Sequence, residues 1–494
     1  MAINNKYVKP LIVPAALVMM GWLSGCKKFL DVPPKDKVSQ TTLLSTEQGF
    51  KDALTGVYLT MDKNTANGLG NGLYTNDLTM GFLSTLGFEY DNANNSTLNE
   101  SLFSNAVYYY YTQTKVNTEI AAIWGGLYNN IANLNNLLSQ VDAKKDIFTG
   151  DSYNRVKGEA IALRALFHFD LARLFGKPPV TGMNEKAIPY ITQYKVTSTQ
   201  FATLQEAIDG CINDLTTAKD LLAQADTSAV LKATEDPFTS YTQNHLNYWA
   251  VQGLLARVYL YKGDLDNADK YARAVIGTNR FPLIISNVAA AGNGVRDRTF
   301  SQELLFALYS TNIKAYNLSL FNLSAGNGTP LQLTTRRNAI YVAGSGSAAD
   351  YRYTSWFDNS LSGVLVPSKF FQDANLPYVL QNIMPLIRVS EMYYIAAECA
   401  NRKNDLPTGV AYLNQVRQAR GLNALNAAGI TTADSVSNEI MREYQKEFIQ
   451  EGQTFYYYKR LNKDLRQATG TTAPDVTGAY VLPVPDKEKE YNNP

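Results

Sequence analysis

Histidine is nearly missing from this chain. Two occur in 494 residues, His168 and His245, and neither sits in a ligand-spaced motif. A histidine-ligated zinc site and a histidine-dependent triad are therefore poorly supplied, and no cofactor or metal is expected. Cysteine is almost as scarce, with three copies, which excludes a disulfide framework. Neither charge sign is in excess: 45 Lys+Arg stand against 44 Asp+Glu, for a net charge of +1. Nucleic-acid binders usually carry a basic face, so nucleic acid is not an expected partner. No apolar run near the start is long enough to span a membrane, which takes roughly 20 residues. What is abundant is tyrosine, with 32 copies, set against only 4 tryptophans, in a chain that is 45% apolar. Most tyrosines belong in the core or at its rim, but the side chain also offers a flat apolar face and a hydroxyl to a polar ring or peptide.

The first 26 residues form a unit of their own. Lys6 and Lys9 precede an apolar run from Leu11 to Leu23, interrupted by Pro14 and Gly21. That run matches the apolar segment of a secretory signal. Leu23-Ser24-Gly25-Cys26 follows directly and looks like the lipobox of bacterial lipoproteins, in which small residues admit a signal peptidase to the bond before the cysteine. Residues 1–25 are thus expected to be a signal peptide, with Cys26 lipidated. One acyl chain binds a membrane only marginally, whereas several anchor durably. Cys211 and Cys399 fall in helical patterns; they could pair, but read better as small buried hydrophobes.

Helical periodicity dominates the rest. In "WGGLYNNIANLNNLLSQV", Leu127, Ile131, Leu134 and Leu138 share a face. Leu163, Leu166, Phe167, Leu171 and Leu174 fit a 3.6 period until Gly176, Pro178 and Pro179 stop the helix. "LLARVYLYKGDLDNADKYARAVI" reads as a helix hairpin that turns at Gly263-Asp264, resembling a tetratricopeptide unit; Val389, Met392, Tyr393, Ala396 and then Val410, Leu413, Val416 repeat the idea. The expected fold is α-rich: tetratricopeptide-like helix pairs forming a scaffold, with a large loop-rich part carrying short strands. That irregular part is expected at about 64–115 and 280–380, where Gly, Asn, Ser and Thr rise and periodicity fades. Loops on a rigid scaffold commonly carry binding.

Ten blocks in order then resemble one family. "FLDVPP" follows the cysteine; "GFKDALTGVY", "IWGGLYNNIANLNNLL" and "KGEAIALRALFHFDLARLFGKPPV" come next. "GLLARVYLYKGDLDNADKYARAVI", "VPSKFF", "MPLIRVSEMYYIAAECANR", "GVAYLNQVRQARGL", "IMREYQKEFIQEG" and "YVLPVPDKEKEYNNP" complete the series. The chain resembles the SusD/RagB-like outer-membrane lipoproteins of the Bacteroidetes nutrient-uptake type, as one domain over 26–494. The resemblance implies a non-catalytic binding protein, lipid-anchored in the outer membrane and facing the cell surface. Such a protein takes oligosaccharides, or peptides in the RagB branch, and delivers them as a lid to a SusC-like TonB-dependent barrel. Two departures stand out: Thr454 and Tyr457 occupy places where the family has an arginine and an aspartate, and Lys27 and Lys28 follow Cys26.

No ligand motif carries over, so the candidates come from chemistry. Sugar rings pack their C–H faces on aromatic planes and need amide or carboxylate partners for their hydroxyls. Tyr108 to Tyr111 precede the "IWGGLY" helix; if extended, alternate tyrosines face opposite ways, so Tyr108 and Tyr110 pair as candidates. Asp77 beside Asn76, and Tyr90 beside Asp91, could supply polar partners, though such residues also make turns. Tyr351, Tyr353 and Trp356 form the second aromatic cluster. Glu391 and Glu398 would serve a hydrolase only across a cleft about 5 to 10 Å wide; Arg388, three residues from Glu391, points instead to an ion pair. Asp264, Asp266 and Asp269 lack the spacing of a calcium loop and suit a helix N-terminus. Two alternatives stay open: a tetratricopeptide scaffold for protein assembly and a carbohydrate-active hydrolase.

Overall fold

The computed structural model describes residues 40–63, 72–91, 100–225, 233–285, 294–322, 330–341, 349–358, 363–426, 429–464 and 479–491, with a few single positions between them. Its longer helices are α1 (Glu47–Asp62), α2 (Thr114–Val141), α3 (Ser152–Phe175), α4 (Leu204–Ala225), α5 (Tyr248–Lys262) and α6 (Leu265–Ile276), then α7 (Val389–Arg402), α8 (Leu406–Ala419), α9 (Ala433–Glu447) and α10 (Gln453–Arg460). Six short strands, β1 (Lys186–Pro189), β2 (Phe201–Thr203), β3 (Leu304–Tyr309), β4 (Phe357–Asp358), β5 (Val366–Pro367) and β6 (Ile383–Arg388), pair β1–β2, β3–β6 and β4–β5 as antiparallel ribbons. No closed sheet forms among the described residues.

Local chemistry starts these helices. Side-chain oxygens of Thr46, Asn247, Asp264, Asp405 and Thr432 accept the first free backbone N–H groups of α1, α5, α6, α8 and α9. Gly263 ends α5 at φ 89, a left-handed turn that glycine adopts without strain. The chain then reverses into α6, whose Ala268 and Ala272 are small enough for close approach to α5. Tyr259 and Tyr271 stack across that hairpin with centroids 5.7 Å apart.

Consecutive helices pack on one another as a tetratricopeptide-like array: α1 on α2, α2 on α3, α3 on α4, α4 on α5, α5 on α6, α6 on α7, and α7 with α8 and α9. Helix α3 lies at its centre, buried on all sides from Gly158 to Phe175. A helix apolar around most of its circumference belongs inside a structure. The stripes expected at Leu127, Ile131 and Leu134, and at Leu163 to Leu174, are buried. Cys211 and Cys399 are buried free thiols, so the pairing alternative falls.

The described parts of the loop-rich regions hold more regular structure than their composition implies. Over 72–91 and 100–111 the chain forms a π-helical turn (Leu73–Asp77) and two short helices (Phe82–Leu86 and Glu100–Ala106), and most of residues 72–90 are buried. Between 280 and 380 it forms β3 to β5 and the helices Ile313–Phe321, Thr335–Tyr341 and Tyr351–Ser355. Pieces of one or two turns are too short for a 3.6-residue repeat to show in the sequence.

Candidate functional site

The irregular half is fastened to the helices through a buried cluster of charge. Glu443, Glu447 and Glu451 follow one another at four-residue steps and meet six cations: Arg352, Lys369, Arg388, Arg417, Arg420 and Lys446. Glu303 and Asp350 complete the set, on Arg420 and Arg352. Burial alone would raise Glu443 and Glu447, but the cations around them reverse the effect. Arg352, Lys446 and Arg417 hold Glu443 at about 2, and Arg420, Arg388 and Arg352 hold Glu447 well below the usual carboxylate range. Burial, against the pull of Glu451, brings the Lys369 ammonium down to about 8. The cluster draws on the blocks "DYRYT", "VPSKFF", "LIRVSE", "VRQARGL" and "IMREYQKEFIQEG", which are far apart in sequence. Only the spacing of the three glutamates signals it in advance.

On this base, helix Thr335–Tyr341 joins the two irregular regions. Asp91 accepts from the backbone N–H groups of Thr334 (2.5 Å), Thr335 (2.7 Å) and Arg336 (2.9 Å), capping the helix from a segment some 240 residues earlier in the chain. The Arg336 guanidinium lies 4.1 Å over the Phe88 ring, and burial brings it down to about 10 against the pull of Tyr458, Asp91 and Glu89. Its neighbour Arg337 lies 3.6 Å over the Tyr353 ring and donates to the Tyr353 carbonyl at 3.0 Å. The Tyr353 hydroxyl donates to Asn338 Oδ1 at 3.3 Å.

The tyrosine run is not a strand. Tyr109 takes a left-handed φ of 58, and the segment is a series of turns. The tyrosines still sort into two pairs. Tyr109 and Tyr111 turn inward and donate to the carbonyls of Leu86 and Ala479. Tyr108 and Tyr110 stack on each other, centroids 5.7 Å apart at 25°, with Tyr110 54% exposed. Two groups of candidates thus reach the surface: the stacked Tyr108–Tyr110 pair, and the half-buried Tyr351 and Tyr353 with the Arg337 guanidinium and the exposed Asn338 amide.

Three candidates leave that surface. Trp356 is 0% exposed; its indole N–H donates to the Arg298 carbonyl at 2.9 Å, and Phe300 and the Lys369 ammonium cover its ring. Asp77 is buried in the π-helical turn. Tyr90 is buried against Phe321, with its hydroxyl donating to the Met80 carbonyl. In Trp356 and Tyr90 the polar atom satisfies the chain's own interior. Cys26 and the signal segment 1–25 lie outside the described residues.

The remaining polar candidates are structural. Burial drives His168 down to about 3, leaving it neutral; Nδ1 contacts the Arg164 carbonyl and Nε2 accepts from the Ile191 N–H. Glu391 is paired, but with Arg257 rather than Arg388. Arg388 turns instead to Glu447 and Glu451, and Glu398 pairs with Arg460. The space bordered by both of those carboxylates is about 30 Å³, enough for a water or two and far too small for a glycosyl unit. Asp264 caps α6, and Asp266 and Asp269 pair with Lys403 and Arg273. No cluster of three metal-ligating side chains occurs among the described residues, and no helix among them is long and apolar enough to cross a membrane.

Comparison with known proteins gives two family matches in order along the chain. Residues 28–260 match a SusD-like family described as starch-binding and associating with the outer membrane, and residues 346–492 match the SusD family. No curated protein matches. Among solved structures, a SusD-like carbohydrate-binding protein from Bacteroides vulgatus aligns with a TM-score of 0.69 at 18% identity, covering 90% of this chain and 96% of its own. A SusD superfamily protein from Bacteroides thetaiotaomicron aligns at 0.63 with 20% identity, covering 90% and 98%. A SusD-like protein from Bacteroides fragilis aligns at 0.68 with 15% identity, covering 94% and 98%. At these identities the structural likeness speaks for the fold.

Proposed function

Since the chain belongs to the SusD/RagB-like family, we propose that it is a lipid-anchored, surface-facing binding protein that captures an oligosaccharide and passes it, as a lid, to a SusC-like TonB-dependent barrel. The observation that carries the ligand class is the exposed Tyr110 stacked on the half-buried Tyr108, in a family whose matched model is described as starch-binding. Aromatic planes suit the apolar faces of a sugar ring, and at Tyr353 the Asn338 amide and the Arg337 guanidinium suit its hydroxyl edges. A peptide is the runner-up, since Arg337 could equally meet a carboxylate.

Two observations favour binding over hydrolysis. The acid pair that a glycosidase reading would use is held by bidentate arginines, and the space it borders excludes a sugar. The leader and Cys26 supply the means of attachment. Affinity purification of the protein from detergent-solubilised outer membranes should bring down a TonB-dependent barrel, and titration against glycan and peptide panels should show saccharide binding. Recovery as a free inner-membrane species would overturn the location. Saturable binding of peptides alone would overturn the ligand class.

A further inference from the structure

Three tyrosines from remote parts of the chain meet at the surface. Tyr309 is the last residue of β3, Tyr378 opens the short 3-10 turn Tyr378–Leu380, and Tyr241 precedes the 3-10 turn Thr242–Asn244. Tyr378 is 64% exposed, Val379 beside it 48% and Tyr309 37%, while Tyr241 is half-buried. Exposed apolar side chains scattered singly are ordinary, whereas a contiguous group marks an interaction site. These rings are also tied to one another. The hydroxyls of Tyr378 and Tyr309 hydrogen-bond, and Asn382 Nδ2 donates to the Tyr309 hydroxyl at 3.2 Å. The Tyr241 ring stands edge-on to Tyr378, with centroids 6.5 Å apart at 63°.

The backbone beneath them is held firmly. The Ser310 N–H donates to the Asn382 carbonyl at 2.8 Å, and the Asn382 N–H to Gln372 Oε1 at 2.8 Å. Gln381 Nε2 donates to the Leu376 carbonyl at 2.6 Å, and the Leu380 N–H to the Pro377 carbonyl at 2.8 Å. Tyr378 therefore projects from a hydrogen-bonded turn. Tyr241 and Asn382 both take left-handed φ, 48 and 61. Residues other than glycine keep that conformation where their surroundings enforce it, and such residues gather at ligand clamps. Rings ordered before a ligand arrives lose little freedom on binding it.

The group has a chemical preference. Tyr241, Tyr309, Tyr378, Val379 and Asn382 carry no charge, so they offer a charged ligand no counter-ion. The ring faces suit the C–H faces of sugars. The tyrosine hydroxyls and the Asn382 amide supply donors and acceptors for sugar hydroxyls at the rim. Rings exposed on a surface suit a chain of sugars lying along them. We propose that Tyr241, Tyr309 and Tyr378 form a platform for a neutral oligosaccharide chain, sharing no residue with the Tyr108–Tyr110 pair or the Tyr351–Tyr353 group. The ligand class rests on the carbohydrate-binding reading above; the location does not.

A fluorotyrosine in place of Tyr378, in the detergent-purified full chain, gives a signal at the platform itself. Its fluorine resonance should shift saturably on titration with at least one of maltohexaose, cellohexaose and xylohexaose. Tyr110→Ala should leave that shift in place, and Tyr309→Ala should weaken its midpoint about three- to tenfold. A resonance that stays still while saturation-transfer NMR shows the sugar bound overturns the platform alone. So does a shift that vanishes with Tyr110→Ala or a midpoint that ignores Tyr309→Ala. A shift produced by a tryptic digest of casein and by none of the sugars overturns the platform's ligand class. An unmodified protein that binds none of the three sugars overturns both the platform and the carbohydrate reading.

Discussion

Arg420 grips Glu447 with two hydrogen bonds, Nη2 to Oε1 at 2.7 Å and Nε to Oε2 at 3.1 Å, and neither side chain has exposed surface. Arg388 and Arg352 reach the same carboxylate, so three guanidinium groups from three segments converge on one acid. Removing one partner of a buried ion pair costs about 3–5 kcal/mol, because the others are left buried and uncompensated. Glu447→Gln should therefore lower the unfolding free energy by about that much in urea. Glu439→Gln, at the rim of the cluster, should cost under about 1 kcal/mol. Equal losses in the two variants would remove Glu447 from the centre of the cluster.

Two buried acids should give stability opposite dependences on pH. Glu443 sits at about 2 when folded, below its usual 4.5, because Arg352, Lys446 and Arg417 outweigh burial. Its contribution is present above 4.5 and disappears as pH falls toward 2. Glu89 is raised to about 7 by burial, which outweighs the Gln450 backbone N–H, the Ser84 and Thr454 hydroxyls and the Lys369 ammonium that favour its charged form. Its contribution is complete below 4.5 and is lost as pH rises through 7. Glu89→Gln should flatten the decline in stability between pH 5 and 8 while leaving the acid limb unchanged. An unaltered neutral limb in urea titrations at several pH values would show that Glu89 does not set it.

Asp91 closes a gap that is wide in sequence and short in space. Loss of a helix cap costs about 0.5–2 kcal/mol. Asp91→Ala should cost that much, and should also weaken ligand binding, because helix Thr335–Tyr341 carries Arg337 against Tyr353. Thermal unfolding and titration of the same variant check both halves. Weakened stability with unchanged affinity would separate the cap from the site.

Tyr110 and Trp356 should behave as opposites. Tyr110→Ala removes an exposed ring, so affinity for a bound saccharide should fall by about 1 kcal/mol while stability hardly moves. Trp356→Ala empties a buried site and should cost about 3–5 kcal/mol of stability. Denaturation curves and binding isotherms on both variants should show the crossed pattern; a Trp356→Ala protein of full stability and reduced affinity would reverse the assignment.

The amino-acid sequence by itself determined the helices. Apolar residues at 3.6 spacing, capping oxygens at Asn247 and Asp264, and Gly263 at the turn act over a few residues, so their effect can be read locally. It did not determine the pairing of Tyr108 with Tyr110: alternation belongs to an extended strand, and here the two rings stack across a series of turns around a left-handed Tyr109. Only the tertiary structure decided that Trp356 and Tyr90 face inward, that Glu391 takes Arg257 instead of its neighbour Arg388, and that Asp91 caps a helix far along the chain. The reason is physical. Whether a ring or a charge is buried depends on what the remote chain brings against it, and a buried charge selects the partner that best replaces water. Neither quantity is written in the spacing of nearby residues.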